Sequence, residues 1–217
     1  MSKNKITNLI SLIMNSLVII FTGLSFIQFF VSFDGNQQFV IGWYSLEYFT
    51  VLSNLFVAFT CIPFVVFNIL NIKNDTNNFS TVAQIFKYVA CVAVGVTALT
   101  VIFFLGPTQG FGIMYKSVNL FLHLITPILA IASYCLFEGN PKSKFLVTCF
   151  SPITVFVYGT VYLINVLITK TWTDFYGFNA NGLWYVSIFA MLIAAYAIGV
   201  GIYFLTKLIS LNNRKGW

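Results

Sequence analysis

Charged side chains are scarce in this sequence. Only 7% of its 217 residues are Asp, Glu, Lys or Arg, whereas 59% are hydrophobic. A soluble globular domain carries about 25% charged residues. With so few charges, the chain cannot cover a folded surface with groups that water solvates, which argues against a soluble globular protein. The lipid bilayer is the solvent that this composition indicates.

Long polar segments are also missing. Runs of about 18 or more apolar residues are long enough to cross a bilayer as helices, and the sequence contains six of them. The links between these runs are too short to hold an extramembrane domain. We therefore expect a single all-α integral membrane domain over residues 1–217, a bundle of six transmembrane helices. The predicted spans are 7–31, 46–71, 82–105, 117–137, 144–169 and 183–209.

Lysine and arginine are unevenly divided between the two sides of this predicted topology. Cytoplasmic loops of membrane proteins carry an excess of these residues. With both termini inside, only Lys116 and Lys170 fall outside. The net charge of +6 thus predicts an N-in/C-in topology and not nucleic-acid binding, which needs a basic patch on a folded face. The inner side would hold Lys3, Lys5, Lys73, Lys87, Lys142, Lys144, Lys207, Arg214 and Lys215.

Histidine and cysteine are too few for a metal or haem centre. The chain has one histidine and four cysteines, and the cysteines lie in separate predicted spans. Metal and haem sites need several such ligands at characteristic spacings, and the sequence contains no such spacing. We therefore expect no metal and no cofactor.

The single histidine, His123, lies in the apolar stretch "NLFLHLITPIL" of the fourth span. Polar groups inside a span are costly and therefore indicate function by default. Asn119, four residues earlier, shares its helix face. Pro127 cannot donate to the carbonyl four residues back, that of His123, and predicts a bend below it. The alternative is a structural histidine with hydrogen-bond partners for both ring nitrogens.

The second span begins with "LEYFTVLSN", in which Glu47, Thr50 and Asn54 share one helix face. At a rise of about 1.5 Å per residue, Thr50 and His123 are both predicted roughly 6–10 Å below the outer ends of their helices. Asn165, near the end of the fifth span, falls in the same outer half. The alternatives are that Thr50 bonds its own backbone and that Glu47 lies in the headgroup layer.

A threonine and a histidine at equal depth fit nucleophilic catalysis. A threonine hydroxyl becomes a nucleophile when an adjacent base takes its proton, and a neutral imidazole suits that task. We therefore interpret Thr50 as a candidate nucleophile and His123 as its base, provided that the second and fourth spans are neighbours. Glu47 or Asn119 would orient the imidazole. Tyr48 or Asn54 would donate to the oxyanion. Asn165 is a further candidate for a supporting or substrate-binding role.

Two stretches carry a resemblance to a known family. "EYFTVLSNLFVAF" (47–59) and "NLFLHLITPIL" (119–129) resemble the paired signatures of the androgen-inducible and androgen-dependent TFPI-regulating membrane proteins. They are even more similar to the small bacterial six-helix membrane proteins related to that family. The aromatic loop "TDFYGF" (173–178) resembles the family as well.

The resemblance implies an intramembrane threonine hydrolase that cleaves fatty acyl esters, with Thr50 as nucleophile and His123 as its partner. Membrane lipids and a lipid-like ester would then be its partners. The amino-acid composition, rich in Lys, Asn, Ile and Phe, is typical of an AT-rich bacterium. It predicts that the protein lies in the bacterial cytoplasmic membrane. The alternative is a non-enzymatic protein, that is, a small transporter, a lipid-binding protein or a complex subunit that uses the same polar cluster for binding. The sequence leaves the oligomeric state open.

Overall fold

Six long helices build this protein. The structure, a computed structural model, describes residues 1–31 and 42–215, with side chains to residue 211. Each long helix contains an apolar stretch long enough to cross a membrane, which confirms the predicted six-helix, all-α architecture and indicates a multi-pass integral membrane protein. The helices are α1 (Lys3–Gln28), α2 (Phe49–Asn74), α3 (Thr81–Gln109), α4 (Val118–Glu138), α5 (Phe145–Ile168) and α6 (Trp184–Lys215).

Short helical turns join the long helices. A 3-10 turn, Gly42–Glu47, precedes α2, and another, Ala180–Gly182, precedes α6. A one-turn helix, Phe111–Met114, lies between α3 and α4. The helices alternate in direction, so that the beginnings of α1, α3 and α5 share one end of the bundle with the ends of α2, α4 and α6. We call this the termini end, and the other the opposite end.

Helix α3 forms the centre of the bundle. In its most apolar stretch 67% of the residues are buried, against 22% to 44% in the other five helices. Every residue from 87 to 97 is buried, so α3 is surrounded on all sides over three turns. This stretch reads "KYVACVAVGVT" and is dominated by Val, Ala, Gly and Cys. Small side chains let neighbouring helix backbones approach closely, which is how helices pack in membranes.

Helix α1 has its polar and apolar faces exchanged relative to an amphipathic helix in water, because its buried face is polar. The side chains that face the bundle are mostly amides and hydroxyls, whereas Ile13, Ile20 and Leu24 point outward and are about half exposed. Lipid solvates the apolar outer face, and the inner polar groups bond one another. The buried stripe consists of Asn8, Ser11, Asn15, Val18, Thr22 and Ser25.

A buried ion pair joins α3 to α4 at the termini end. Lys87 Nζ contacts Glu138 Oε2, and both side chains are 0% exposed. The Lys87 ammonium also donates to Asn15 Oδ1 and lies 4.6 Å above the ring of Phe64. Lys87 is therefore part of the bundle core and does not contribute to the excess of lysine and arginine on the predicted inner side. The pair is also an ionisable cluster at the end of the bundle remote from Thr50 and His123.

Hydroxyl and amide groups complete this network and extend it to α1 and α2. Glu138 Oε1 accepts from Ser11 Oγ at 2.7 Å and from Ser133 Oγ at 2.6 Å. Asn68 Nδ2 in turn donates to Ser11 Oγ at 2.8 Å. A buried charge pair is tolerated only when its remaining hydrogen-bonding capacity is satisfied. Here side chains of four helices provide that satisfaction.

The ion pair predicts that one substitution has opposite effects on stability in two protein backgrounds. Glu138→Gln in the parent protein should lower stability by about 3–5 kcal/mol, because it leaves the Lys87 charge buried without a counterion. In a Lys87→Met protein the same substitution should raise stability, because the neutral amide then removes the last buried charge. Thermal unfolding of the purified proteins in detergent measures both effects. Equal effects in the two backgrounds would contradict the pairing.

Candidate functional site

A cavity of about 190 Å³ lies at the opposite end of the bundle and contains both predicted catalytic residues. It opens between the beginnings of α2 and α4, the end of α3 and the loop that follows α5. The structure thus brings Thr50 and His123 to one cavity, as the catalytic interpretation requires. The polar groups and sulfur in its lining come from Tyr48, Thr50, Gln109, Met114, Asn119, His123 and Tyr176.

Thr50 is the second residue of α2 and lies closer to the helix end than its sequence predicted. The predicted span began at residue 46, but residues 42–47 form a 3-10 turn and α2 begins at Phe49. Its hydroxyl has no hydrogen bond to its own helix, whereas Thr60, deeper in α2, donates to the Val57 carbonyl at 2.8 Å. In the first turn Thr50 also lies where the partial positive charge of the helix is strongest.

His123 is held by a backbone carbonyl. Its Nδ1 lies 2.7 Å from the oxygen of Met114. A carbonyl can only accept, so Nδ1 carries the proton, and in the neutral ring Nε2 carries the lone pair. Within the described residues Nε2 has no hydrogen-bond partner. The ring is therefore fixed in the tautomer that leaves a basic nitrogen for a group in the cavity.

The chain reverses sharply to place the Met114 carbonyl. Gly110 follows α3 with a φ of +97°, a conformation that favours glycine. The short helix Phe111–Met114 then folds back beside the start of α4. Met114, and not Glu47 or Asn119, therefore supplies the orienting hydrogen bond. No pattern in the sequence indicates this bond, because it depends on the path of a loop and on a backbone atom.

A wide, π-helical turn surrounds His123. Phe121–Ile125 follows this geometry, and Thr126 N–H bonds the Phe121 carbonyl five residues back. In that register the carbonyl opposite Pro127 belongs to Leu122, one residue before the carbonyl of His123 that the sequence predicted. Asn54 Nδ2 donates to the Leu122 oxygen at 2.9 Å and to the Thr50 oxygen at 2.7 Å. Asn54 thus ties α2 to α4, and both its amide hydrogens are used for this.

Tyr176 reaches the same place from the loop between α5 and α6. Its hydroxyl accepts from the N–H of Phe49 at 3.0 Å and interacts with the side chain and backbone N–H of Thr50. It therefore caps α2, whose N-cap residue Tyr48 makes no side-chain cap of its own. Burial raises the pKa of Tyr176 to about 12 against the opposing effect of the Thr50 hydroxyl, so the phenol keeps its proton at neutral pH.

Asp174 and a cluster of aromatic rings hold the loop of Tyr176 over the opposite end. The Asp174 carboxylate accepts from Tyr162 Oη at 2.8 Å and from the N–H groups of Phe178 and Asn179 at 2.9 and 3.0 Å. Tyr162 Oη in turn accepts from the N–H of Tyr176 at 3.0 Å. The stretch "TDFYGF" therefore folds as a packed cover that places one phenol beside Thr50.

The other predicted site residues fall into two groups. Tyr48 and Asn119 line the cavity: the Tyr48 ring lies 4.6 Å from that of Phe175, and Asn119 Nδ2 donates to the Ile113 carbonyl at 3.3 Å. Glu47 and Asn165 do not line it. Glu47 contributes its backbone carbonyl, which accepts from Tyr158 at 2.7 Å. Asn165 closes the end of α5 through its own helix and Thr171.

A second, smaller cavity lies on the other side of Thr50. Its volume is about 30 Å³, and its lining is almost entirely apolar. Thr50 and Tyr176 border both cavities, and the smaller one continues between α3, α5 and α6 toward Gly159 and Met191. A Cβ on Gly159 would lie 2.3 Å from Ile188, so the absent side chain helps the helices to meet here. Thr50 is thus placed between a partly polar chamber and an apolar one.

No family model, no curated protein and no solved structure matches this chain. The arguments for function therefore rest on the residues and geometry described above.

Three groups that shape the candidate site or the bundle were not predicted from the sequence. The Met114 carbonyl gave no signal. Tyr176 did give one, since its loop "TDFYGF" contributed to the family resemblance, but nothing in the sequence placed it beside α2. Lys87 and Glu138 gave a clear signal, since a lysine and a glutamate at the ends of apolar runs are expected to pair when they fall within spans.

Asn54 donates to the Leu122 carbonyl, which Pro127 cannot do. The effects on stability of substitutions at residues 54 and 127 should therefore be coupled. Asn54→Leu should cost about 1–3 kcal/mol of stability, because the Leu122 carbonyl is left without a donor in the bundle. In a Pro127→Ala background the cost should be smaller, because residue 127 then supplies an N–H. Asn119→Leu, which removes one long and partly exposed bond, is the control and should cost less. Unfolding midpoints in detergent measure these effects, and an equal cost of Asn54→Leu in both backgrounds would refute the assignment.

Proposed function

We propose that this protein is an integral membrane hydrolase that cleaves a lipid-like, fatty acyl ester. Thr50 would be its nucleophile and His123 its general base. The observation that carries the proposal is the shared cavity, in which the basic nitrogen of the only histidine has no hydrogen-bond partner among the described residues and the Thr50 hydroxyl is not bonded to its helix. The family resemblance of the two stretches around these residues supports the same chemistry.

The reaction would begin with acyl transfer to Thr50. His123 Nε2 takes the hydroxyl proton while Oγ1 bonds to the ester carbon, whose carbonyl becomes an oxyanion. Collapse of this intermediate breaks the bond to the alcohol, and the alcohol leaves with the proton from Nε2. Water then repeats the sequence on the acyl-threonine and releases the carboxylic acid. Attack by a second alcohol in place of water would make the protein a transferase.

The oxyanion would be stabilised by Tyr176 and by the beginning of α2. The Tyr176 hydroxyl accepts from the Phe49 N–H, which leaves its own hydrogen to donate beside Thr50. The first turn of α2 adds the partial positive charge of the helix. Donors fixed in this way contribute because they need no reorganisation when the negative charge forms. Asn54, whose amide hydrogens are occupied, would act by positioning and not as an oxyanion donor.

The two cavities beside Thr50 fit the two parts of an ester. The apolar cavity, of about 30 Å³, has room for the first carbons of the acyl group, and the larger one, which contains His123 and Asn119, suits the alcohol part. Both open at the end of the bundle that holds Lys116 and Lys170. Lys87 lies in the core. Of the other ten Lys and Arg residues, eight lie at the termini end and these two at the opposite end. We infer that the termini are cytoplasmic, in a bacterial cytoplasmic membrane, and that the substrate enters from the outer leaflet.

A transporter is the second candidate, and the ion pair of Lys87 and Glu138 favours it. Ionisable side chains inside membrane helices are typical of ion and proton pathways. In that function the cavity of Thr50 and His123 would bind a ligand without forming a covalent bond to it. Accumulation of solute in liposomes without ester turnover would support this alternative.

Turnover of an ester panel by matched variants tests the hydrolase directly. His123→Ala should lower kcat by about 10²–10⁴-fold, the contribution typical of a general base. Thr50→Ala should lower it at least as much, and Thr50→Ser should keep substantial activity because it retains a hydroxyl. The control is Thr60→Ala, which removes a threonine bonded to its own helix. If Thr50→Ala and His123→Ala turn over every ester as fast as Thr60→Ala, the proposed chemistry is wrong.

A further inference from the structure

A third cavity, of about 330 Å³, lies at the termini end, remote from Thr50 and His123. Its walls are the first turns of α3, the loop between α4 and α5, and the beginning of α5. Its volume lies within the range of about 300–1,000 Å³ that is typical of small-molecule sites. One part of the lining is polar and basic, with Gln84, Asn140, Lys142, Ser143 and Lys144. The other part is apolar, with Ile85, Leu146, Val147 and Phe150.

The positive charge of this cavity is not neutralised by the described part of the protein. Lys142 and Lys144 are exposed and form no ion pair with a described residue. Glu138, the described carboxylate nearest to these lysines in the sequence, is buried against Lys87. The cavity therefore has room for an anion, and that anion must come from outside these residues. The other described carboxylates are Asp75, which bonds Ser2 at the start of α1, and Glu47 and Asp174, which lie at the opposite end.

The apolar wall points to an amphiphile. Leu146 is 69% exposed and Phe150 49% exposed, and both continue the outer, lipid-facing surface of α5. The lysines precede these residues directly in the chain, so charge and hydrocarbon surface meet at the level where a helix leaves the bilayer. A small soluble anion would use the lysines only. A phospholipid would use both, with its phosphate at the lysines and its chains along Leu146 and Phe150.

We propose that this cavity binds the phosphate headgroup of an anionic phospholipid from the leaflet at the termini end. Basic pockets between membrane helices recognise such headgroups through charge. Asn140, Ser143 and Gln84 add hydrogen-bonding side chains around the phosphate, although one amide hydrogen of Gln84 is used by the Glu138 carbonyl at 2.7 Å. The proposal is independent of the catalytic one, because it concerns other residues at the other end of the bundle.

The test compares two charge-removing variants of the full-length protein. Phosphatidylglycerol binding is measured by native mass spectrometry and by the shift in melting temperature, relative to phosphatidylcholine with the same acyl chains. Lys142→Gln/Lys144→Gln should weaken phosphatidylglycerol binding roughly thirtyfold, as expected for two lysines near the membrane surface. The control, Lys5→Gln/Lys73→Gln, removes the same charge from the same end but outside the cavity, and should bind as the parent does.

Three results would overturn the proposal. Equal binding of both lipids by the parent would show that the cavity has no headgroup selectivity. Equal loss in the two variants would show that only the general positive charge of this end attracts the lipid. Displacement of phosphatidylglycerol by millimolar inorganic phosphate or glycerol phosphate would show that the cavity takes a free anion and not a lipid. Circular dichroism and melting of both variants without added lipid establish that they are equally folded.

Discussion

The bundle depends on buried polar contacts between its helices. In a bilayer the hydrophobic effect does not draw helices together, because lipid solvates apolar faces as well as another helix does. Here Lys87 and Glu138 pair at the centre of the termini end, and hydroxyl and amide groups from α1, α2 and α4 complete their hydrogen bonds. This network fixes four helices relative to one another. At the opposite end the described side chains form no ion pair, and the two cavities beside Thr50 lie there.

Wide π-helical turns set the positions of His123 and Glu138, one at each end of the bundle. Such turns occur within α3 at Val101–Leu105 and within α4 at Phe121–Ile125, and they form the last turns of α4, Tyr134–Glu138, and of α5, Ile164–Ile168. The turns of α4 contain His123 and Glu138. The extra residue in a π-helical turn changes which way a side chain points and leaves backbone carbonyls without their usual helical donors. Such turns are frequent at functional sites. The link from Asn54 to the Leu122 carbonyl is one consequence, because Pro127 cannot supply the missing donor.

Much of the architecture could be predicted from the sequence, because long apolar runs leave few alternatives to helices. Equal spacing from the helix ends also placed Thr50 and His123 at one cavity, although α2 begins later than predicted. Contacts between distant parts of the chain could not be predicted. The Met114 carbonyl depends on a turn at Gly110, and Tyr176 depends on a loop whose fold is set by hydrogen bonds to Asp174. Neither leaves a periodic pattern in the sequence.

The proposed hydrolase chemistry requires that His123 activate Thr50 as a nucleophile. The most direct measurement is to treat the purified protein with a fluorophosphonate and to locate the adduct by peptide mass spectrometry. This chemistry predicts one adduct, on Thr50, that disappears in Thr50→Ala and in His123→Ala but persists in Thr60→Ala. An adduct on another residue, or labelling of Thr50 that does not change in His123→Ala, would contradict it.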